Sequence, residues 1–139
     1  MKNIDWSNLP FGYMRTDYNV RCYYRNGEWG ALELCSEETI NLHMAATCLH
    51  YGQEGFEGLK AYRGKDGKIR IFRPEANAER LQSTCRGILM PELPTELFVN
   101  AVKKVVKANE RFIPPYESGA ALYIRPLLIG TSAQVGVHP

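Results

Sequence analysis

A chain of 139 residues, 45% hydrophobic and 23% charged, is long enough for one ordinary core without disulfide or metal staples. Its formal net charge of +2, spread along the chain with alternating signs, excludes the clustered basic surface that a nucleic-acid or anionic-membrane partner needs. The leading MKNIDWSNLPFGYMRTDYN has no apolar run of secretory length and is too acidic and Arg-poor for a transit peptide, and nowhere does the chain hold a membrane-spanning run.

Residues 20–34 read as a hairpin. Val20, Cys22 and Tyr24 alternate with Arg21, Tyr23 and Arg25, and Asn26-Gly27 supplies a type I′ turn. Ser36-Glu37-Glu38 opens a turn or short helix, and residues 43–50 are compatible with a helix ended by Gly52. A second hairpin follows, going out over 56–63, turning at 64–67 and returning over 68–73. Pro74 suits a first helical turn, and Ala78, Leu81, Cys85 and Ile88 recur at helical spacing behind it. Thr95 caps a longer helix, with Leu97, Ala101, Val105 and Phe112 close to one face alongside Val102 and Val106. Glu96 in its first turn and Lys103, Lys104 and Lys107 further along suit the helix dipole. After PPYESG, residues 120–129 form a mostly apolar strand in which Pro126 implies an edge or a bulge.

Strands, then helices, then a strand define an α+β fold: two layers, a largely antiparallel sheet with helices packed on one face. The four cysteines, Cys22, Cys35, Cys48 and Cys85, form no CxxC pair and have no histidine at zinc spacing. They are expected to be reduced and mostly buried in a cytoplasmic protein, with no metal. The stretch GTSAQVGVHP reads as a chain cut between domains.

No GxGxxG, P-loop, GxSxG or HExxH is present, and three scattered histidines define no triad, so His43 and His138 receive no role. Three stretches remain. In HYGQEGFEGLKAYRG, Gly55 and Gly58 flank Phe56, which marks either close approach by a ligand or another chain, or a bulged strand with ordinary core aromatics. In Glu79-Arg80-Leu81, Arg80 stands at the edge of the core-facing stripe, either a solvated helix residue or a fork for phosphate or carboxylate. In LYIRP, alternation puts Tyr123 and Arg125 on one face, opposite Leu122 and Ile124. An arginine in so apolar a strand must find an anion or lie at a mouth.

Taken together, LHYGQEGFEGLKAYRG, KIRIFRPEANAERLQSTCRGI and SGAALYIRPLLIGTSAQVGV resemble, in order, the N-terminal small domain of branched-chain amino-acid aminotransferases, fold-type IV pyridoxal-phosphate enzymes. Before about Cys35 the resemblance is weaker. It implies transfer of the amino group of leucine, isoleucine or valine to 2-oxoglutarate, giving branched 2-oxo acids and glutamate, by a homodimer that uses pyridoxal 5′-phosphate. Biosynthesis is the expected direction, although no residue distinguishes synthesis from breakdown. Arg80 matches the arginine that binds the cofactor's phosphate. Phe56 and Tyr123 match aromatic walls of the substrate pocket, Tyr123 near the substrate carboxylate, and Arg125 matches the arginine supporting that carboxylate or the side chain of glutamate. Tyr51 matches a residue that completes the neighbouring subunit's pocket, and Val135 and Val137 match residues that reach across in the same way. An apolar slot separates substrates one methylene apart by only ~1–3 kcal/mol, so all three branched amino acids are expected to be accepted.

The family's Schiff-base lysine lies in a second domain, within a glycine- and asparagine-rich motif that none of Lys2, Lys60, Lys65, Lys68, Lys103, Lys104 and Lys107 occupies. Residues 1–139 are therefore expected to be the first domain only, holding no catalytic residue. Same-fold alternatives are a D-amino-acid aminotransferase or an aminodeoxychorismate lyase, against which FEGLKAYRG and LYIRP count. A stand-alone binding module, an RNA-binding sheet using Tyr23, Tyr62 and Arg70, is opposed by the weak charge and the lack of an RNP-like motif. Mixed with pyridoxal phosphate and reduced with borohydride, residues 1–139 are expected to show no stoichiometric lysine adduct by peptide mass mapping. A single clean adduct at Lys60 would contradict the resemblance-based assignment.

Overall fold

The structure is a computed structural model in which residues 13–133 are described, so Val135, Val137 and His138 lie outside the described residues. The first hairpin turns at Asn26 and Gly27, whose φ angles of 56° and 80° are the positive pair that a type I′ turn demands. Its arms are interrupted into β1 (Asn19–Arg21), β2 (Tyr24–Arg25), β3 (Glu28–Trp29) and β4 (Glu33–Cys35). β1 pairs with β4 and β2 with β3, both antiparallel. Residues 36–43 are neither helix nor strand, and the helix expected over 43–50 is shorter and later: α1 (Thr47–Tyr51), closed by Gly52 in the left-handed region at φ 60°. His43 turns its Nδ1 back to accept from the Ala45 backbone N–H at 3.0 Å, a local bond that competes with helix formation there.

The chain continues through β5 (Glu54–Phe56), β6 (Leu59–Arg63), β7 (Ile69–Ile71), α2 (Pro74–Gly87) and α3 (Thr95–Ala108) to β8 (Leu122–Ile124) and β9 (Leu127–Ile129). The second hairpin departs from expectation, because residues 56–63 are not one strand. β6 does pair with β7, but its other edge takes β8, giving the sheet order β7-β6-β8, while β5 pairs with β9. The expected strand over 120–129 is divided in the same way at Arg125-Pro126. The two breaks lie opposite each other, joined by the Glu57 backbone N–H donating to the Pro126 carbonyl at 3.0 Å. Proline's missing N–H ends the ladder at that point.

The side-chain alternation nevertheless runs unbroken through the first break. Gly55, Glu57, Leu59 and Ala61 are buried, while Glu54, Phe56, Lys60 and Tyr62 are exposed. The buried side meets the helices: Leu59, Ala61 and Ile124 form one core with Ala78, Leu81 and Cys85 of α2 and Phe98, Val102 and Val106 of α3. This is the α+β arrangement of antiparallel strands with helices on one side, though the strands form several small sheets rather than one. The buried stripe of α3 is Phe98, Val102 and Val106, with Leu97, Ala101 and Val105 only half-buried beside it.

Pro74 opens α2, with Arg73 before it in the left-handed region at φ 45°, uncommon for a residue with a Cβ. At the other end the buried Gln53 donates Nε2 to the Ile88 carbonyl at 2.9 Å, satisfying a helix-terminal acceptor. Thr95 does not cap α3. The Phe98 N–H donates to the Pro94 carbonyl at 3.0 Å, which makes Thr95 the first helical residue, and its hydroxyl instead accepts from Gln82 Nε2 at 3.1 Å. Of the four cysteines, all free, only Cys85 is buried; Cys22, Cys35 and Cys48 are half-buried, fewer in the core than expected. No helix among the described residues is long and apolar enough to cross a membrane.

In the β6–β7 turn, hydrogen bonds from Arg70 at 2.8 and 3.1 Å, and then one from the Lys68 backbone N–H at 3.1 Å, hold the Asp66 carboxyl at about 2. The folded value lies below the unfolded one, so the contribution to stability is complete above about pH 4 and is lost as the pH falls through the folded value. Full exposure keeps it small. Asp66→Asn is expected to lower the urea midpoint slightly at pH 6, and the gap from the parent protein closes as the pH approaches 2.

Candidate functional site

Two groups of chemistry-bearing side chains flank the shared strand break. On the helix side is Glu57. Counting by twos from Leu59 and Ala61 puts its carboxylate on the apolar face, and an unpaired carboxylate there would be very costly. Its side chain is 4% exposed and meets Arg80, one turn beyond Asn77 on α2. Arg80 donates Nε to both carboxylate oxygens at 2.9 and 3.0 Å and Nη2 to Oε1 at 2.6 Å, while Asn77 donates Nδ2 to Oε1 at 3.0 Å. The pair is unequal, since the Arg80 side chain stays 68% exposed. The bonds to Glu57, and then its charge, hold the Arg80 guanidinium above its already high ordinary value, so it is a permanent cation. Arg80 also lines a shallow cleft of about 210 Å³ with Phe72, Arg73, Ala76 and Asn77, at the first turns of α2. Two guanidinium residues and an amide at the positive end of a 14-residue helix form a donor set that fits an oxyanion.

On the open side are Phe56, Tyr123 and Arg125. The guanidinium carbon of Arg125 lies 4.6 Å from the Phe56 ring centre and 5.5 Å from that of Tyr123. Its Nε and Nη2 each lie 3.4 Å from the Tyr123 hydroxyl, at the long end of hydrogen bonding. Arg125 thus lies within cation–π reach of both rings, worth about 0.5–1 kcal/mol per contact at an exposed site. Ile124 between them is buried, as strand alternation requires, and Leu122 is half-buried. The cross-strand register sets Lys60 opposite Tyr123.

Gly58 separates the two groups. Its carbonyl accepts from Asn77 Nδ2 at 3.3 Å, and a Cβ built on it would lie 2.6 Å from the Tyr123 hydroxyl oxygen. The glycine-rich stretch suggests close approach by a ligand or a second chain; the group packed against Gly58 is Tyr123 of this same chain. At Gly55 it is α2, where a Cβ would meet Thr84 at 2.9 Å.

The structure therefore brings Phe56, Tyr123 and Arg125 together and leaves Arg80 on the other side of the same break. Tyr51 belongs to neither group. It ends α1, where its ring lies 6.4 Å from that of His50. α1 is stitched to the segment leaving β9: Thr47 N–H donates to Ser132 O at 3.2 Å, Cys48 N–H to Gly130 O at 3.0 Å, and Ala46 bridges Ala133. Gly130 lies tight against the Thr47 and Gln53 side chains, leaving no room for a Cβ. Tyr51 and residues 130–133 are thus carried by one braced unit. Sequence reasoning missed Glu57, although the alternation with Leu59 and Ala61 was sufficient to place it.

No family model matches the chain. It is 54% identical over 137 residues to the branched-chain-amino-acid aminotransferase of Haemophilus influenzae, an alignment covering 99% of this chain and 40% of that protein. The Escherichia coli branched-chain amino acid aminotransferase structure superposes with a TM-score of 0.66 at 25% identity, over 89% of this chain and 36% of that one. The pyridoxal-phosphate form of the Thermobaculum terrenum enzyme superposes with a TM-score of 0.57 at 25% identity, over 81% and 32%. The fold is that of the fold-type IV aminotransferases. Within that class the chain matches an N-terminal portion of the branched-chain amino-acid aminotransferases. It spans about 40% of the length of the curated relative it matches.

Gly58→Ala is expected to push the Tyr123 ring away and part its hydroxyl from Arg125, at a cost of about 1–3 kcal/mol for overpacking. A crystal structure of the variant with Tyr123 unmoved would contradict this.

Proposed function

We propose that residues 1–139 are the first domain of a pyridoxal-phosphate-dependent branched-chain aminotransferase, which moves the amino group of leucine, isoleucine or valine to 2-oxoglutarate. The observation that carries this reading is the grouping of Phe56 and Tyr123 around Arg125. Two rings give a branched aliphatic side chain an apolar wall, and a guanidinium beside a phenol gives a carboxylate its partners. The same Arg125 and Tyr123 serve glutamate, whose second carboxylate must enter the slot in the return half of the reaction. The 54% identity to a protein of that name supports the reading.

The donor set at the first turns of α2 fits the cofactor's phosphate, with Arg80 as its main holder. Bound pyridoxal phosphate supplies the electron sink that makes an amino group transferable, chemistry that side chains do not perform unaided. This chain's residues bind and orient. Arg80 fixes the phosphate end, Phe56 and Tyr123 wall the slot, and Tyr123 with Arg125 hold the carboxylate. In a homodimer, Tyr51, Val135 and Val137 complete the neighbouring subunit's pocket, and α1, which ends at Tyr51, is braced against residues 130–133. The reactive lysine is assigned to a second domain, so residues 1–139 have no transaminase activity alone. Four free cysteines suit the reducing cytoplasm.

The full-length protein with pyridoxal phosphate is expected to transfer amino groups from leucine, isoleucine and valine to 2-oxoglutarate. Arg125→Gln is expected to lower kcat/KM by about 10- to 100-fold, the scale of a lost charge-assisted hydrogen bond. Activity with D-alanine alone would overturn the reading.

A further inference from the structure

Folding does not require an acid at position 57. The site faces α2 beside Leu59 and Ala61, where an apolar side chain would pack without any desolvation cost. Replacing a buried ion pair by apolar residues is often neutral or stabilising. The geometry of the pair indicates what the acid does. Arg80 carries five N–H donors, and Glu57 engages its Nε and Nη2, the side edge of the fork. Nη1 takes no part in that clamp. Asn77 grips the same carboxylate oxygen at 3.0 Å, and the Glu57 backbone is pinned through its N–H to Pro126 at 3.0 Å. The carboxylate is therefore a fixed post and the guanidinium an exposed arm hinged on it.

We propose that Glu57 is a positioning residue for Arg80, clamping one edge of the guanidinium so that the free edge is presented to the phosphate of the cofactor in the cleft at the start of α2. This rests on the reading of Arg80 as the phosphate-binding arginine. A long, exposed arginine loses much rotamer freedom when it grips an anion, and a partner that fixes it beforehand removes that cost from the binding step. The side-on clamp also directs the remaining donors one way, whereas an end-on pair would consume both Nη groups.

The test uses the full-length protein and two probes, pyridoxal phosphate and pyridoxal, with dissociation constants read by absorbance and folding followed by thermal unfolding. Glu57→Gln keeps the shape and removes the charge. It is expected to weaken pyridoxal phosphate binding on the order of tenfold while leaving pyridoxal within about twofold, since only the phosphate end is affected. A merely structural role would weaken both probes equally, and that result overturns the proposal. Arg80→Gln separates the two levels of the reading. If it leaves the preference for the phosphorylated probe unchanged, Arg80 is not the phosphate residue and the underlying reading fails. If it abolishes the preference while Glu57→Gln does not reduce it, only the proposal fails. In the Arg80→Gln background, Glu57→Gln is expected to change the preference no further. Should Glu57→Gln not fold, Glu57→Asp retains the charge one methylene shorter. It is expected to give a smaller drop in the preference, and an unchanged preference would overturn the proposal.

Discussion

The need to pair one buried carboxylate governs this part of the molecule. Glu57 falls on the helix-facing side of its strand, in register with Leu59 and Ala61, and water cannot reach it. Arg80 and Asn77 answer that demand from α2, so the helix is keyed to the strand by charge as well as by Leu81 and Cys85. The same pairing leaves a guanidinium standing in solvent at the first turns of α2. A stabilising contact inside and a cationic arm outside are two ends of one side chain.

The second constraint is backbone geometry. Two antiparallel strands break at the same level, one at Glu57-Gly58 and the other at Arg125-Pro126, and one backbone hydrogen bond joins the breaks. Each strand therefore belongs to one sheet before the break and another after it. Gly58 lets the Tyr123 ring close over the backbone, and Arg125 lies beside the Phe56 ring that precedes the break. The cation-and-aromatic group on the open side and the carboxylate–guanidinium group on the helix side are thus separated by the thickness of one strand.

Much of this was legible in the sequence where the determining physics is local. Asn26-Gly27 specified its turn, Pro74 its helix start, and the 3.6-residue recurrence of Ala78, Leu81 and Cys85 its buried face. Tyr123 and Arg125 were placed on one face by alternation alone. The misreadings arose where distant groups decide. Nothing in residues 56–63 announces that β5 will leave β6 for β9, because alternation continues undisturbed across the break. Thr95 looked like a cap, but the Pro94 carbonyl already begins the helix and Gln82 engages the hydroxyl. α1 is short because Ala46 is held by Ala133, far along the chain. Glu57 was within reach of sequence reasoning: an acid two residues before Leu59 and four before Ala61 is a buried acid, and Arg80 on the facing helix was its available partner.

The central claim is the proposal that the two sides of this break serve one reaction, the cofactor's phosphate held by Arg80 and the substrate's carboxylate by Arg125 and Tyr123. The most direct measurement is a crystal structure of the full-length protein with pyridoxal phosphate and a branched 2-oxo acid. The account predicts the phosphate on the free edge of an Arg80 still paired with Glu57, and the 2-oxo acid between Phe56 and Tyr123 with its carboxylate toward Arg125. A cofactor bound away from the first turns of α2, or an acid bound away from Arg125, would contradict it.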